Sequence, residues 1–142
     1  MKDIYFKSIN ILSFRDKKGF SFDFAPDINI ITGENDTGKS SLIKNLYHTL
    51  GADIRLDKKW KDDDFISKVV ICINNRDYAF IRYEKRISIF DITENEIHLV
   101  TSSSRSVIAM AVRDLFDFNL SLVIKTNLTQ GQALPASLYL PY

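Results

Sequence analysis

Cysteine is nearly missing from this 142-residue chain: Cys72 is the only one, so no disulfide can close within it. A small secreted domain held by a disulfide framework is therefore excluded. Histidine is equally scarce, and His48 and His98 with one thiol do not make a Cys/His metal cluster. Five glycines and three prolines are too few for a linker-like or collagen-like chain, and there is no internal repeat or low-complexity segment. An excess of one charge is also lacking. Nineteen Lys and Arg face eighteen Asp and Glu, a formal net charge of +1. Nothing global then draws the chain to nucleic acid or an anionic membrane, and any such contact must come from a local patch. No apolar run is long enough to span a bilayer, and the N-terminus has no signal-peptide apolar core. A cytoplasmic location without membrane contact is the expectation. What remains is ordinary for one globular domain with a moderate core: 45% hydrophobic and 26% charged residues. Cys72 itself lies in an apolar run and is expected to be a buried core thiol.

The glycines that are present are placed with purpose. Gly33-Glu34-Asn35-Asp36-Thr37-Gly38-Lys39-Ser40 fits G-x-x-x-x-G-K-[ST], the phosphate-cradling P-loop. Before it, Asp27–Thr32 is a short β-branched run that reads as a buried strand. After it, Ser41–Leu50 carries apolar residues at 42, 43, 46, 47 and 50, a helical spacing, with Gly51 at the expected C-terminal stop. Strand, glycine loop and helix form the context the motif requires. Gly33 and Gly38 allow a tight turn whose N–H groups point inward at phosphate oxygens. The helix adds its unpaired N-terminal donors and the positive end of its dipole. Lys39 is suited to the β- and γ-phosphates, and the Ser40 hydroxyl to Mg²⁺. Asn35, Asp36, Thr37 and Ser41 complete the nucleotide-binding set, with ATP and Mg²⁺ as the implied ligands. Asp36 stands mid-loop, where Asp tolerates a left-handed backbone better than most residues.

The segment Asn29–Ser41 resembles the start of the ABC-type ATPase heads of the SMC, RecF, RecN and OLD branch, which often read "hydrophobic run, G-x-N-x-x-G-K-S-S". Asp36 stands where many of those proteins carry a third glycine. Upstream, Ile9–Arg15 is similar to their opening strand, usually "N-F-[KR]", with Ser13 in place of the Asn. The resemblance implies an α/β fold: a P-loop NTPase core with an antiparallel β-meander, the first lobe of an ABC/SMC-type head. It implies that Arg15 lies near the nucleotide, although a solvated turn arginine serves equally well as a reading.

The rest of the chain fits that plan. Asp3–Leu12 and Phe20–Phe24 are two strands around the turn Asp16–Gly19, and with the loop and helix they make an opening unit over residues 1–51. Residues 52–66 are charged and irregular; Lys58-Lys59-Trp60-Lys61 is cancelled by Asp62-Asp63-Asp64 and reads as a solvated linker with Trp60 turned inward. Val69–Ile73, Tyr78–Tyr83, Ile87–Ile92 and Ile97–Thr101 form an antiparallel meander over residues 66–101. Ser102–Ser104 offers N-caps for a helix over Arg105–Phe116, and Leu120–Lys125 reads as a further strand within residues 102–125.

No apolar run ends in Asp-Glu, and nothing resembles the L-S-G-G signature of ABC-type ATPases. In the resembling proteins both lie in a second lobe, so the chain is expected to be the first lobe of a longer protein. Gln130 is a candidate for the Mg²⁺-sensing glutamine between the lobes. The implied function is an ATP-binding lobe of an SMC-like ATPase that acts on DNA in repair, chromosome maintenance or phage defence. It would hydrolyse ATP only with its missing C-terminal lobe and in a homodimer of heads. The alternative is a nucleotide-dependent switch or clamp that binds ATP without hydrolysing it. A GTPase is disfavoured, as no N-K-x-D motif is present. If DNA is clamped, contacts from this lobe are expected from Arg82, Lys85 and Arg86, though exposed strand charges need no such purpose.

Overall fold

The structure is a computed structural model that describes residues 3–34, 38–56, 64–117, 121–122 and 132–133. Strand β1 (Ile4–Ser13) turns back through β2 (Lys18–Asp23); helix α1 (Lys39–Thr49) follows. Four strands come next, β3 (Phe65–Ile73), β4 (Arg76–Tyr83), β5 (Arg86–Asp91) and β6 (Glu96–Ser102), then helix α2 (Arg105–Phe116). Two short strands, β7 (Ser121–Leu122) and β8 (Gln132–Ala133), pair with each other in a separate ribbon. The first six strands form one open antiparallel sheet in the order β2-β1-β3-β4-β5-β6. Four of its connections are two-residue to four-residue turns, which antiparallel neighbours permit.

The meander and α2 follow the sequence closely, because alternation sets which face each residue takes. In β3, Phe65, Ser67, Val69, Ile71 and Ile73 are buried, while Ile66, Lys68 and Val70 between them are more exposed. Phe80 of β4 pairs with Val69 and Ile89, and all three are wholly buried. At the β3–β4 turn Asn74 and Asn75 have φ of 51° and 63°, the left-handed geometry of a tight hairpin, which Asn accepts more readily than most residues. Cys72 is buried, as its apolar surroundings suggest.

Both helices cover one face of the sheet. α1 packs on β3 and β4, and α2 on β6. Leu46 of α1, its C-cap Leu50, and Ile108, Val112 and Leu115 of α2 join Ile9, Val69, Phe80 and Ile89 in one core. The opening hairpin is tied to α1 by aromatic contacts: Phe22 to Phe24 at 4.9 Å, Phe24 to Phe6 at 6.0 Å, and Phe6 edge-on to Tyr47 at 6.3 Å. α1 then ends as glycine allows, with Gly51 at φ 97° and its N–H donating to the His48 carbonyl at 3.0 Å.

One expectation is corrected. The buried strand over Asp27–Thr32 does not form: residues 28–32 belong to no strand, and Ile28 and Ile30 are 79% and 82% exposed. A strand exists only when a neighbour takes its backbone groups, and among the described residues no strand runs beside this segment. The linker reading at residues 58–63, including Trp60, falls outside the described residues.

Candidate functional site

The glycine loop is anchored on both sides. Upstream, the Asn29 side chain accepts from the Ala25 N–H at 2.7 Å and donates to the Ala25 carbonyl at 2.8 Å. This closes the turn after Pro26 and delivers residues 30–34 to the helix. Downstream, Gly38 occupies the N-cap position of α1 with φ 87°, in the left-handed region that favours glycine. An added Cβ there would meet no atom within 4 Å, so glycine is required by conformation and not by space. The first turn of α1 closes with the Leu42 N–H on the Gly38 carbonyl at 2.9 Å. Among the described residues no side chain caps this end, and no acidic residue stands in the first turn. The helix therefore presents the positive end of its dipole beside the loop.

Lys39 is the central cation. Its ammonium donates to the carbonyl of Gly33 and, at 2.6 Å, to that of Glu34, so the side chain lies back across the loop. Ser40 is exposed on the helix N-terminus. Lys39 and Ser40 line an open cleft of about 480 Å³ with Asn29, Ile31, Ile43 and Lys44. Two ammonium groups, a hydroxyl, helix-end N–H groups and an apolar wall suit a polyanion with an adjoining apolar part. The motif does not name Lys44 or Asn29. Lys44 was legible, since it sits four residues after Ser40 on the same helix face.

Among the other expected site residues, Gly33 is exposed at the start of the loop, and Ser41 is half-buried, its carbonyl accepting from the Asn45 side chain at 2.8 Å. Asn35, Asp36, Thr37 and Gln130 lie outside the described residues. Arg15 is largely exposed in the β1–β2 turn, 3.9 Å from an Asp64 carboxylate. The basic set on the meander divides in two. Lys85 and Arg86 are exposed in and beside the β4–β5 turn. Arg82 does not extend that stripe: it pairs in register with Ser67 and Ile87, both buried, and so shares the face that carries α1. Its Nη1 donates to the His48 carbonyl at 2.6 Å and its Nε to the Glu84 carbonyl at 3.0 Å. Strand alternation (period two) sends it to the helix side.

At the far end of α1 the packing is polar. Thr49 Oγ1 donates to the Asn45 carbonyl at 2.7 Å and lies 2.7 Å from Ser67 Oγ, all within the buried interface with β3. His48 is buried beside Phe65, and burial first, then the nearby Arg82 guanidinium, pushes its pKa down to about 4. Its imidazole is neutral at ordinary pH. Among the described residues no group of His, Cys, Asp and Glu could hold a metal ion. No described helix is long and apolar enough to cross a membrane.

An open antiparallel sheet backed by two helices, one of which begins at the glycine loop, defines an α/β domain. Residues 7–131 match the AAA domain family, and the chain belongs to that family. It is 29% identical over 143 residues to the Lamassu protein LmuB of Bacillus cereus, an alignment that takes in 100% of this chain and 24% of LmuB. A second LmuB, from a Bacillus sp., is 33% identical over 94 residues, 65% of this chain. The DNA replication and repair protein RecF of Clostridium acetobutylicum is 33% identical over 70 residues, 44% of this chain and 19% of RecF. The resemblance to the SMC and RecF branch of ATPase heads is thus carried by the AAA domain match, by LmuB and by a protein of DNA replication and repair. The chain spans about a quarter of the length of the first of these relatives.

Proposed function

We propose that residues 33–40 are a P-loop that binds Mg·ATP, and that the chain is the ATP-binding lobe of an SMC/RecF-type ATPase acting on DNA in defence or repair. The observation that carries the reading is the placement of Lys39. Its ammonium lies across the loop, beside the N-terminus of α1, with the Ser40 hydroxyl exposed on the same rim. The residues fit the ligand: Lys39 takes phosphate charge, Ser40 offers its hydroxyl to Mg²⁺, and Ile31 and Ile43 supply apolar surface. Bound Mg²⁺ would neutralise phosphate charge. Membership of the AAA domain family supports nucleotide use.

The remaining parts of the function belong to a larger assembly. Exposed Ile28 and Ile30, on a segment with strand composition, favour a second lobe that supplies the missing neighbour strand. Hydrolysis then depends on groups from that lobe and on a homodimer of heads, and Gln130 is the candidate link between lobes. Contacts to DNA from this lobe are assigned to Lys85 and Arg86, which are exposed and would meet phosphates without reading sequence. Such a protein works in the cytoplasm.

Titration calorimetry of Mg·ATP into the wild-type chain and Lys39→Ala tests the central step. Loss of a charge-assisted contact should weaken binding by about ten- to a hundredfold while the glycine turn stays intact. Equal affinities would sink the assignment.

A further inference from the structure

One side chain joins the glycine-loop helix to the basic turn. Arg82 reaches the last turn of α1 through Nη1 on the His48 carbonyl (2.6 Å) and the β4–β5 turn through Nε on the Glu84 carbonyl (3.0 Å). At the opposite end of the same helix stand Lys39 and Ser40. We propose that Arg82 is a positioning residue that couples nucleotide at the glycine loop to the Glu84–Arg86 turn, and so to how Lys85 and Arg86 meet a polyanion. The inference rests on the nucleotide reading above.

Three observations support it. First, α1 is an unbroken helix of 11 residues, about 16 Å long, so a displacement at its N-terminus is carried to its C-terminus as a rigid body. Second, the guanidinium is a planar fork that fixes both carbonyls at once, which a lysine ammonium on a flexible stem cannot reproduce. Third, Glu84 has φ 54°, a left-handed conformation unusual for Glu, and the carbonyl Arg82 holds belongs to this same residue. A strained turn persists only while its surroundings hold it, so a shift in the bond that holds it moves the turn. Linkage makes the effect reciprocal: a polyanion on Lys85 and Arg86 must then change nucleotide affinity by the same factor.

Direct phosphate contact by Arg82 is the competing role, and Arg82→Lys separates the two because it keeps the charge and loses the fork. Amide hydrogen exchange is followed in the wild-type chain and Arg82→Lys, each with and without Mg·ATP, beside calorimetry of ATP binding. In the wild type, Mg·ATP should change exchange at residues 83–86. In Arg82→Lys, exchange there should rise about tenfold without nucleotide and no longer respond to Mg·ATP, with ATP affinity and β3 protection retained. Arg82→Gln, which retains amide donors but not the fork, gives the same comparison if the lysine variant fails to fold. A turn that responds to Mg·ATP equally in wild type and variant overturns the proposal. So does a wild-type turn that stays silent while calorimetry records binding, and that result leaves the nucleotide reading standing. Absence of ATP binding by the wild type defeats the nucleotide reading, and the coupling falls with it.

Discussion

Acid should weaken this domain sooner than its carboxylates alone would dictate, and the cause is His48. The residue is 5% exposed, packed between α1 and β3, with its ring 6.4 Å from that of Phe65. Burial and then the Arg82 charge lower its pKa from 6.5 to about 4. The unfolded chain therefore takes up this proton on passing below 6.5, whereas the folded protein does so only near 4. Between those values the unfolded state binds more protons, so stability falls as pH falls; the contribution is complete above 6.5 and is lost toward 4. Integrating the two titrations gives a loss of about 2 kcal/mol between pH 7 and pH 5, out of about 3 kcal/mol in all. Urea denaturation at the two pH values, on the wild type and on His48→Gln, would measure it. The Lys7–Asp77 and Arg76–Asp91 pairs are present in both proteins and cancel in the comparison. The wild type should lose about 2 kcal/mol more than the variant on acidification. Parallel losses would refute the reasoning and place the acid sensitivity elsewhere.

Two further predictions concern the helix that carries the loop. Thr49→Val keeps the shape of the side chain but strands the buried Ser67 hydroxyl, and should cost about 1–3 kcal/mol in urea unfolding. Thr49→Val with Ser67→Ala should recover part of that loss, and strictly additive losses would show that the two hydroxyls share no bond. Gly38→Ala should cost about 1–2 kcal/mol for the left-handed backbone alone, and Gly38→Asn less, because an added Cβ finds open space. A loss well beyond about 3 kcal/mol by the same measurement would mean a clash that the geometry does not contain.

Much of the fold was legible because most of its instructions are local. The two asparagines at 74 and 75 dictate their own turn, and the alternation through β3, β4 and β5 states which side chains go inward. Helix α2 begins after its serines and ends at Phe116, as read from spacing alone. At Gly38 the left-handed backbone was legible from the glycine itself, since that residue acts through its own backbone. The placement of Arg82 was hard to read for a reason of the opposite kind. A charge on a strand reads as solvent-facing, yet period two assigns Arg82 to the face of Phe80, and only the arrival of α1 supplies a carbonyl to receive it. The signal was present in the alternation; its partner was 34 residues away. His48 carried no signal at all, because a lone histidine in a helix does not announce that Phe65 and Arg82 will enclose it.

The segment Asp27–Thr32 shows where such reading stops. Its β-branched residues give the composition of a buried strand, but composition states a preference for a pleated, covered surface and cannot supply the neighbour. Within the described residues the open sheet takes its six strands from elsewhere, and α1 begins on the far side of the loop. Ile28 and Ile30 are left bare while Ile9 and Ile11, with the same chemistry on β1, are buried, because β1 has a strand on each side and its inward residues join the core beneath the helices. Burial in this chain is therefore decided by what arrives, not by hydrophobicity. The loop that follows inherits the consequence: its downstream edge is fixed by α1, while its upstream edge is held chiefly by Asn29 on the Ala25 backbone. A strand beside residues 27–32, such as the proposed second lobe would supply, would set the upstream edge of the cleft that Lys39 and Ser40 line. Under the proposed function, the contact that buries Ile28 and Ile30 would then also complete the nucleotide site.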